Sequence, residues 1–338
     1  MTAPTTLRIG TRRSALATTQ SGHVATAITE RTGVETVLVE ITTDGDRSQA
    51  AGTPLTGAPS TGVFVSALRD ALLAGEVDVA VHSLKDLPTY ATEGIALAAV
   101  PVREDPRDVI VARDGLTLGE LPPGSRLGTG SPRRVAQIEA LGLGLEIAGV
   151  RGNVDTRIGK VRSGEFDAVV LARAGLARLE RADEATEVLD PLQVLPAPGQ
   201  GALAIECRAD DAATLALLAR LDDAGTRAAV SAERTVMARL EGGCAAPIGA
   251  LAEIAEGDDG PEIWLRAVVL SEDGALSVRR SASAALGDDP ADWPAAATTL
   301  GEALAAEMLE DGAAELVGPS LPGPASHPSA RPAEVLNP

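Results

Sequence analysis

One pattern, used twice, limits the fold of this chain more than any other feature. Residues 7–11 read as a short strand, Arg12-Arg13-Ser14 follow at once, and an amphipathic helix then places Leu16, Val24 and Ile28 on one side. Residues 126–130 are again a strand and turn, and Ser131-Pro132-Arg133-Arg134 opens another helix. Ser14 and Ser131 suit the N-cap, where a hydroxyl oxygen accepts from a free backbone N–H. Proline at the first helical position lacks only an N–H that would go unbonded anyway. Gly33 suits the stop of the first helix. Strands alternating with helices in this way build sheets covered on both faces. The fold class expected is α/β, with two doubly wound lobes.

Between these units the chain reads as follows. Residues 37–43 form a strand. Residues 44–62, rich in Gly, Pro, Ser and Thr, are too long and polar for a simple connection and are predicted to be a mobile functional loop. A helix with Phe64, Leu68 and Leu72 on one face then runs to Gly75. Residues 77–88, VDVAVHSLKDLP, begin as a strand with Val77, Val79 and Val81 at period two. They break into a polar turn carrying His82, Ser83, Lys85 and Asp86, stopped by Pro88. Chemistry in open α/β sheets gathers just past the carboxyl ends of strands. A Lys85–Asp86 pair there supplies a fixed cation and a carboxylate able to bind N–H groups or move a proton. Taken alone, the stretch fits an ordinary loop with a surface ion pair equally well.

A strand at 95–100 precedes the charged, proline-bearing segment 101–108, PVREDPRD, which reads as a crossing between domains. Strands at 109–112, 145–150 and 166–171 follow, with a helix capped by Asn153 that carries Arg157 and a short helix at 174–179. PAPGQGALAIEC, residues 196–207, is a Gly/Pro crossing and then a strand. A return to the first domain is one destination for it, leaving the second domain inserted. From Asp211 the order changes to two helices, three strands and a long Ala-rich helix to about residue 316, an α+β arrangement. The expected boundaries are 1–101 plus about 200–220 for the first domain, 102–199 for the second and 221–317 for the third, with a disordered tail at 318–338.

The formal net charge of −19 argues against a general nucleic-acid surface. Aromatics are only 1% of residues, so the cores must be aliphatic. Lys85 and Lys160 are the only lysines, so nearly every cation is an arginine. Three helix starts that follow strands carry arginine: Arg12 with Ser14, Ser131 with Arg133 and Arg134, and Arg151 with Asn153 and Arg157. Helix N-termini attract anions, and guanidinium forks grip carboxylates bidentately. These starts predict a polyanion-binding cleft into which Arg133 and Arg134 project their side chains. GTGSPRR is not a dinucleotide loop, because Arg133 stands where the third glycine belongs, and no GK[ST] occurs. Cys207 and Cys244 are spaced for neither a disulfide scaffold nor a metal site, and no metal is expected. Cys244, in a Gly-Gly-Cys loop, is either an idle thiol or an exposed one, whereas Cys207 lies in an apolar strand and reads as core. The histidines do not cluster, and His82 suits packing better than catalysis. With no apolar signal core in MTAPTTLRIG and no run long enough to span a membrane, a soluble cytoplasmic protein is expected.

Taken together, RIGTRRSALA, GVF, VDVAVHSLKDLP, REDPRD, GTGSPRR, RGNVDTR, FDAVVLARAGL, PAPGQGALAIECR and AERTVMARLEGGCAAPIG closely resemble the porphobilinogen deaminase (hydroxymethylbilane synthase) family. They occur in family order from about residue 7 to 250. The resemblance implies two lobes like those of periplasmic binding proteins, facing one another across a cleft, and a small α+β C-terminal domain. It implies a monomeric enzyme, with no nucleic-acid or membrane partner, that condenses porphobilinogen with loss of ammonia into hydroxymethylbilane. It implies a dipyrromethane cofactor held by a thioether to a loop cysteine, here matching Cys244. Asp86 matches the catalytic aspartate, with Lys85 beside it. Ser14, Thr129, Ser131, Arg133 and Arg134 match cofactor-holding positions, and Arg12, Arg151, Arg157, Phe64 and Gln200 match substrate-binding ones.

The residue types suit that chemistry. A chain of pyrroles bearing acetate and propionate groups is a polyanion, and loss of ammonia leaves an electron-poor azafulvene whose charge a carboxylate stabilises. One departure stands in the loop before Phe64: Ser60-Thr61-Gly62 has Thr61 where the family often carries lysine. The competing class is a non-catalytic two-lobed organic-anion-binding protein. It gives no reason for Cys244 or for Lys85-Asp86.

Overall fold

The computed structural model describes residues 6–41, 60–240, 246–258 and 260–317, with backbone alone for 60–64. In chain order its elements begin with β1 (Thr6–Thr11), α1 (Ala15–Thr32), β2 (Glu35–Glu40), α2 (Ser60–Leu73), β3 (Val79–Ser83) and β4 (Ile95–Ala99). Next come β5 (Asp108–Ala112), β6 (Arg126–Gly128), α3 (Pro132–Glu139), β7 (Glu146–Ala148), α4 (Val154–Arg162), β8 (Ala168–Ala172), α5 (Arg173–Arg178) and β9 (Glu187–Val188). The chain ends with β10 (Leu203–Arg208), α6 (Ala212–Leu218), α7 (Ala224–Arg239), β11 (Ile248–Gly257), β12 (Gly260–Leu270), β13 (Ser277–Ala285), α8 (Trp293–Glu310) and α9 (Ala313–Leu316).

The predicted helix starts form as their caps require. Ser14 Oγ accepts from the Ala17 N–H at 3.4 Å, Ser131 Oγ from Arg134 at 3.5 Å, and Asn153 Oδ1 from Thr156 at 2.9 Å. Gly33 ends α1 in the left-handed region, its N–H donating to the Thr29 carbonyl. Several element bounds shift: the strand expected at 37–43 is β2, Glu35–Glu40, and the one expected at 145–150 is only β7, Glu146–Ala148. Residues 60–62, expected in the loop, already belong to α2, and Asp108, expected in the crossing, opens β5. The two-residue strand β9 was not foreseen, because so short a segment carries no periodicity. The rest of the loop at 42–59 and the tail at 318–338 lie outside the described residues.

The first sheet runs β2-β1-β3-β10-β4 and the second β7-β6-β8-β5-β9. In each, three neighbouring strands are parallel and the fourth lies antiparallel to both of its neighbours. That fourth strand arrives from the other lobe: β5 follows the first crossing and β10 follows the second. The lobes are therefore topological copies, the second inserted between β4 and β10 of the first. Ile9, Val79, Val81 and Ile205 fill the first core, and Ile110, Leu127 and Val170 one face of the second, all aliphatic.

Strands β11, β12 and β13 form a separate antiparallel sheet. Its inner face (Ala250, Leu265, Val269) packs on Val236 of α7 and on Leu304 and Met308 of α8. A Cβ on Gly301 would lie 2.6 Å from the Ala232 carbonyl oxygen, so glycine there lets α7 and α8 approach closely. The outer face meets the second lobe, with Leu251, Val268 and Leu270 against Ala136 and Leu195.

Candidate active site

The carboxyl ends of the parallel strands deliver the residues expected to act. Arg12 follows β1, Lys85 and Asp86 follow β3, Thr129 follows β6 and Arg151 lies just past β7. Lys85 and Asp86 sit on a single 3₁₀ turn, Leu84–Asp86, whose geometry is pinned from several sides. Leu84 and Leu87 are buried below it, each such burial stabilising by roughly 1.5–3 kcal/mol. The Leu84 N–H donates to the Ala202 carbonyl at 3.0 Å. From α7, the Arg234 guanidinium donates to the carbonyls of Leu84, Leu87 and Pro88 at 3.3, 3.1 and 2.6 Å. The backbone is held by its neighbours, so the Asp86 carboxylate is left without a hydrogen bond or ion pair among the described residues.

A network crosses from this turn to the second lobe. Lys85 Nζ donates to Gln200 Oε1 at 3.2 Å, and Gln200 Nε2 donates to the Pro106 carbonyl at 2.6 Å and to Asp108 Oδ1 at 2.8 Å. Arg133 Nη2 reaches Asp108 Oδ2 at 2.8 Å and Arg134 Nη2 reaches Asp108 Oδ1 at 2.7 Å. Burial pushes the Asp108 carboxyl up, but the two guanidinium groups outweigh it and hold it well below the usual range. Burial pushes the Lys85 ammonium down to about 8, helped by Arg134 and Arg133 and opposed by Asp86 and Asp108.

This corrects the expected outward projection of Arg133 and Arg134. They are 4% and 6% exposed and spend their forks on Asp108, on the Leu195 carbonyl (2.5 Å from Arg133 Nη1) and on the Val170 carbonyl (2.9 Å from Arg134 Nη1). Gln200, expected beside substrate, is 1% exposed and bridges the lobes. Other cations stand at the strand ends and helix starts. Arg151 is exposed and makes no ion pair among the described residues. Arg157 is half-buried, and its Nε donates to the Gly152 carbonyl at 2.9 Å. Burial and then Arg134 lower the Arg157 guanidinium. Arg12 is half-buried beyond β1, where its carbonyl accepts from Thr11 and Thr18. Thr129 is buried, its Oγ1 accepting from the Ser131 N–H at 3.3 Å. Ser14 and Ser131 serve their helices as caps. The Phe64 side chain and Cys244 lie outside the described residues.

Sequence reasoning missed Asp108, Arg103, Glu233 and Arg178. An acid opening an otherwise apolar strand was the available signal for Asp108. Arg178, on α5, carried no such signal, and its Nη2 donates to the Gly201 carbonyl at 2.5 Å. Gly201 itself has φ +89°, and a Cβ there would lie 2.3 Å from the Glu104 carbonyl oxygen, so the two crossings touch where only glycine fits. Cys207 is buried in the first core, where burial pushes its thiol up to about 11.

Two lobes of one topology, a pinned Lys-Asp turn and arginines at the strand ends define a two-lobed α/β protein suited to an organic polyanion. The chain belongs to the porphobilinogen deaminase family. Residues 7–216 match the family model described as porphobilinogen deaminase, dipyromethane cofactor binding domain, and residues 227–310 match the porphobilinogen deaminase C-terminal domain. Porphobilinogen deaminase of Thermobifida fusca is 56% identical over 320 residues, covering 94% of this chain and 98% of its own. Porphobilinogen deaminase 1 of Streptomyces coelicolor is 57% identical over 317 residues, covering 92% and 97%. The Mycobacterium tuberculosis porphobilinogen deaminase is 55% identical over 316 residues, covering 92% and 98%.

These relatives do not favour the non-catalytic binding-protein alternative. Among the described residues no helix is long and apolar enough to cross a membrane. The residues fit a dipyrromethane, a small polycarboxylate: guanidinium groups for its carboxylates and an Asp86 carboxylate, without a hydrogen bond among the described residues, for its pyrrole N–H groups.

Proposed function

We propose that this chain condenses porphobilinogen head to tail, releasing ammonia at each step, to give hydroxymethylbilane, and that it does so as a cytoplasmic monomer with the cofactor on Cys244. The observation that carries the reading is the Asp86 carboxylate, without a hydrogen bond or ion pair among the described residues, on a turn whose backbone is bonded by Ala202 and Arg234. The dipyrromethane, when bound, supplies a covalent primer on which the chain lengthens. Asp86 accepts hydrogen bonds from pyrrole N–H groups, stabilises the cation that forms when porphobilinogen loses ammonia, and takes the proton released from the attacked carbon. Lys85 and Arg12 bind carboxylates on the first-lobe side, and Arg151 and Arg157 do so on the second, with Phe64 beside the substrate. Arg133, Arg134 and Gln200 keep a cationic wall in register with Lys85 through Asp108, and Ser14, Thr129 and Ser131 fix the helix starts and turns that frame it. The lobes are residues 1–101 with 200–220 and residues 102–199, and residues 221–317 form the cysteine-bearing domain.

Peptide mass spectrometry of freshly purified protein tests this reading. A dipyrrole adduct is expected on the Cys244 peptide and an unmodified Cys207 peptide, since a buried, protonated thiol does not attack. Asp86→Asn should carry the same adduct with ammonia release nearly abolished and an unchanged thermal midpoint. An unmodified Cys244 in fully active protein overturns the assignment.

A further inference from the structure

Away from the cleft, a groove of about 420 Å³ opens along the seam between the second lobe and the third sheet. Pro191, Leu192 and Leu195 form its apolar wall, and Arg266, Arg279 and Ser281 its polar one. The register explains the polar wall. Arg266 opposes Ser281 and Arg279 opposes Val268 across β12 and β13, so all four share the outer face of the sheet. Arg266 and Arg279 are then diagonal neighbours, about 7 Å apart. Arg266 is paired with Glu253 and the adjacent Arg280 with Asp311. Arg279 has no carboxylate partner among the described residues, and its Nη1 donates only to the Leu192 carbonyl, at 3.5 Å. Burial and then Arg266 lower its guanidinium, the signature of a cation short of counter-charge.

We infer that this seam groove is a second ligand site, which takes a small amphiphilic organic anion with its acidic group on Arg279 and Arg266 and its apolar body on Leu192 and Leu195. The volume lies within the range of small-molecule pockets, roughly 300–1,000 Å³, and an apolar wall with a few convergent polar groups is their usual composition. The site is separate from the cleft: apart from Leu195, whose carbonyl accepts from Arg133, it uses none of the residues described there.

The probe is 8-anilinonaphthalene-1-sulfonate, which combines an aromatic body with one sulfonate, titrated into the protein as purified and followed by its fluorescence. Saturable one-to-one binding is expected, weakened at least tenfold by Arg279→Gln and abolished by Ser281→Trp, which fills the groove. Arg12→Gln should leave it unchanged, and Arg279→Gln should leave turnover unchanged. Because Arg279 lies on the surface, its variant keeps the test valid if the tryptophan variant fails to fold. Binding unaffected by Arg279→Gln overturns the anion site, whatever Ser281→Trp does. Binding lost in Arg12→Gln places the probe in the cleft and overturns it too.

Discussion

Arg133 and Arg151 look alike as cationic positions flanking a turn, but their surroundings give them different consequences on substitution. Arg133 is buried against Asp108 and the Leu195 carbonyl, whereas Arg151 is exposed and unpaired among the described residues. Arg133→Leu should therefore lower stability by about 1.5–3 kcal/mol, the worth of a charge-assisted bond. Arg151→Leu should stay within roughly 0.5 kcal/mol of the parent, as surface changes do, and lose turnover instead. Urea midpoints set beside ammonia release separate the two. Equal stability of both variants would show that Asp108 does not depend on Arg133.

Lys85 carries a pH dependence with two opposite signs. Its ammonium titrates at about 8 in the fold against an ordinary 10.5. Above about 8 the cation is lost, so kcat/KM for a carboxylate substrate should fall as pH rises through that value. Between about 8 and 10.5 the unfolded chain binds the proton and the folded one does not, so this group makes stability rise with pH over the same window. A falling kcat/KM with a steady or rising thermal midpoint identifies binding and not unfolding as the cause. Lys85→Arg, permanently charged, should remove the limb.

At the scale of elements, α7 does more than cover the third sheet. Two adjacent residues reach in different directions: Arg234 grips the Lys85–Asp86 turn, and Glu233, 0% exposed, fastens the crossings. Glu233 accepts from Arg103 Nη1 and Nη2 at 2.6 and 3.0 Å, from the Gly199 N–H at 2.6 Å and from the Ala252 N–H at 2.9 Å. Arg103 Nε in turn donates to the Gln200 carbonyl at 2.7 Å. One buried carboxylate thus ties the first crossing, the second crossing and β11 to one helix. Only Leu240 and the three residues after it separate the end of α7 from Cys244. Glu233→Gln leaves the Arg103 guanidinium buried without its counter-charge and should cost about 3–5 kcal/mol. Glu302→Gln removes the exposed partner of Arg239 and should cost about 0–1 kcal/mol. Thermal midpoints of the two variants check this, and a Glu233→Gln midpoint close to the parent would mean the crossings are held some other way.

For the whole molecule, the second sheet is built from one continuous stretch inserted between β4 and β10, so only the first lobe is completed by a strand from beyond the other. That insertion was partly legible. The PVREDPRD and PAPGQG segments marked the crossings, and the echo between RIGTRRSALA and GTGSPRR marked two units of one design. Period-two valines, serine and asparagine caps and Gly33 set the local elements, because these depend on residues within a turn or two of one another. The order of motifs was enough for the family, and the residue types for a polyanion. The sequence could not say which cation meets which anion. Arg133 and Asp108 are 25 residues apart, and Gln200 and Asp108 are 92 apart. At such separations, partners are chosen by where the crossing strands insert in the two sheets. Local periodicity and caps carry no information about that insertion. So the chain alone determined the elements, the family and the kinds of charge available, while the tertiary structure decided that Arg133 and Arg134 would be buried on Asp108, with Asp86 left unpaired among the described residues.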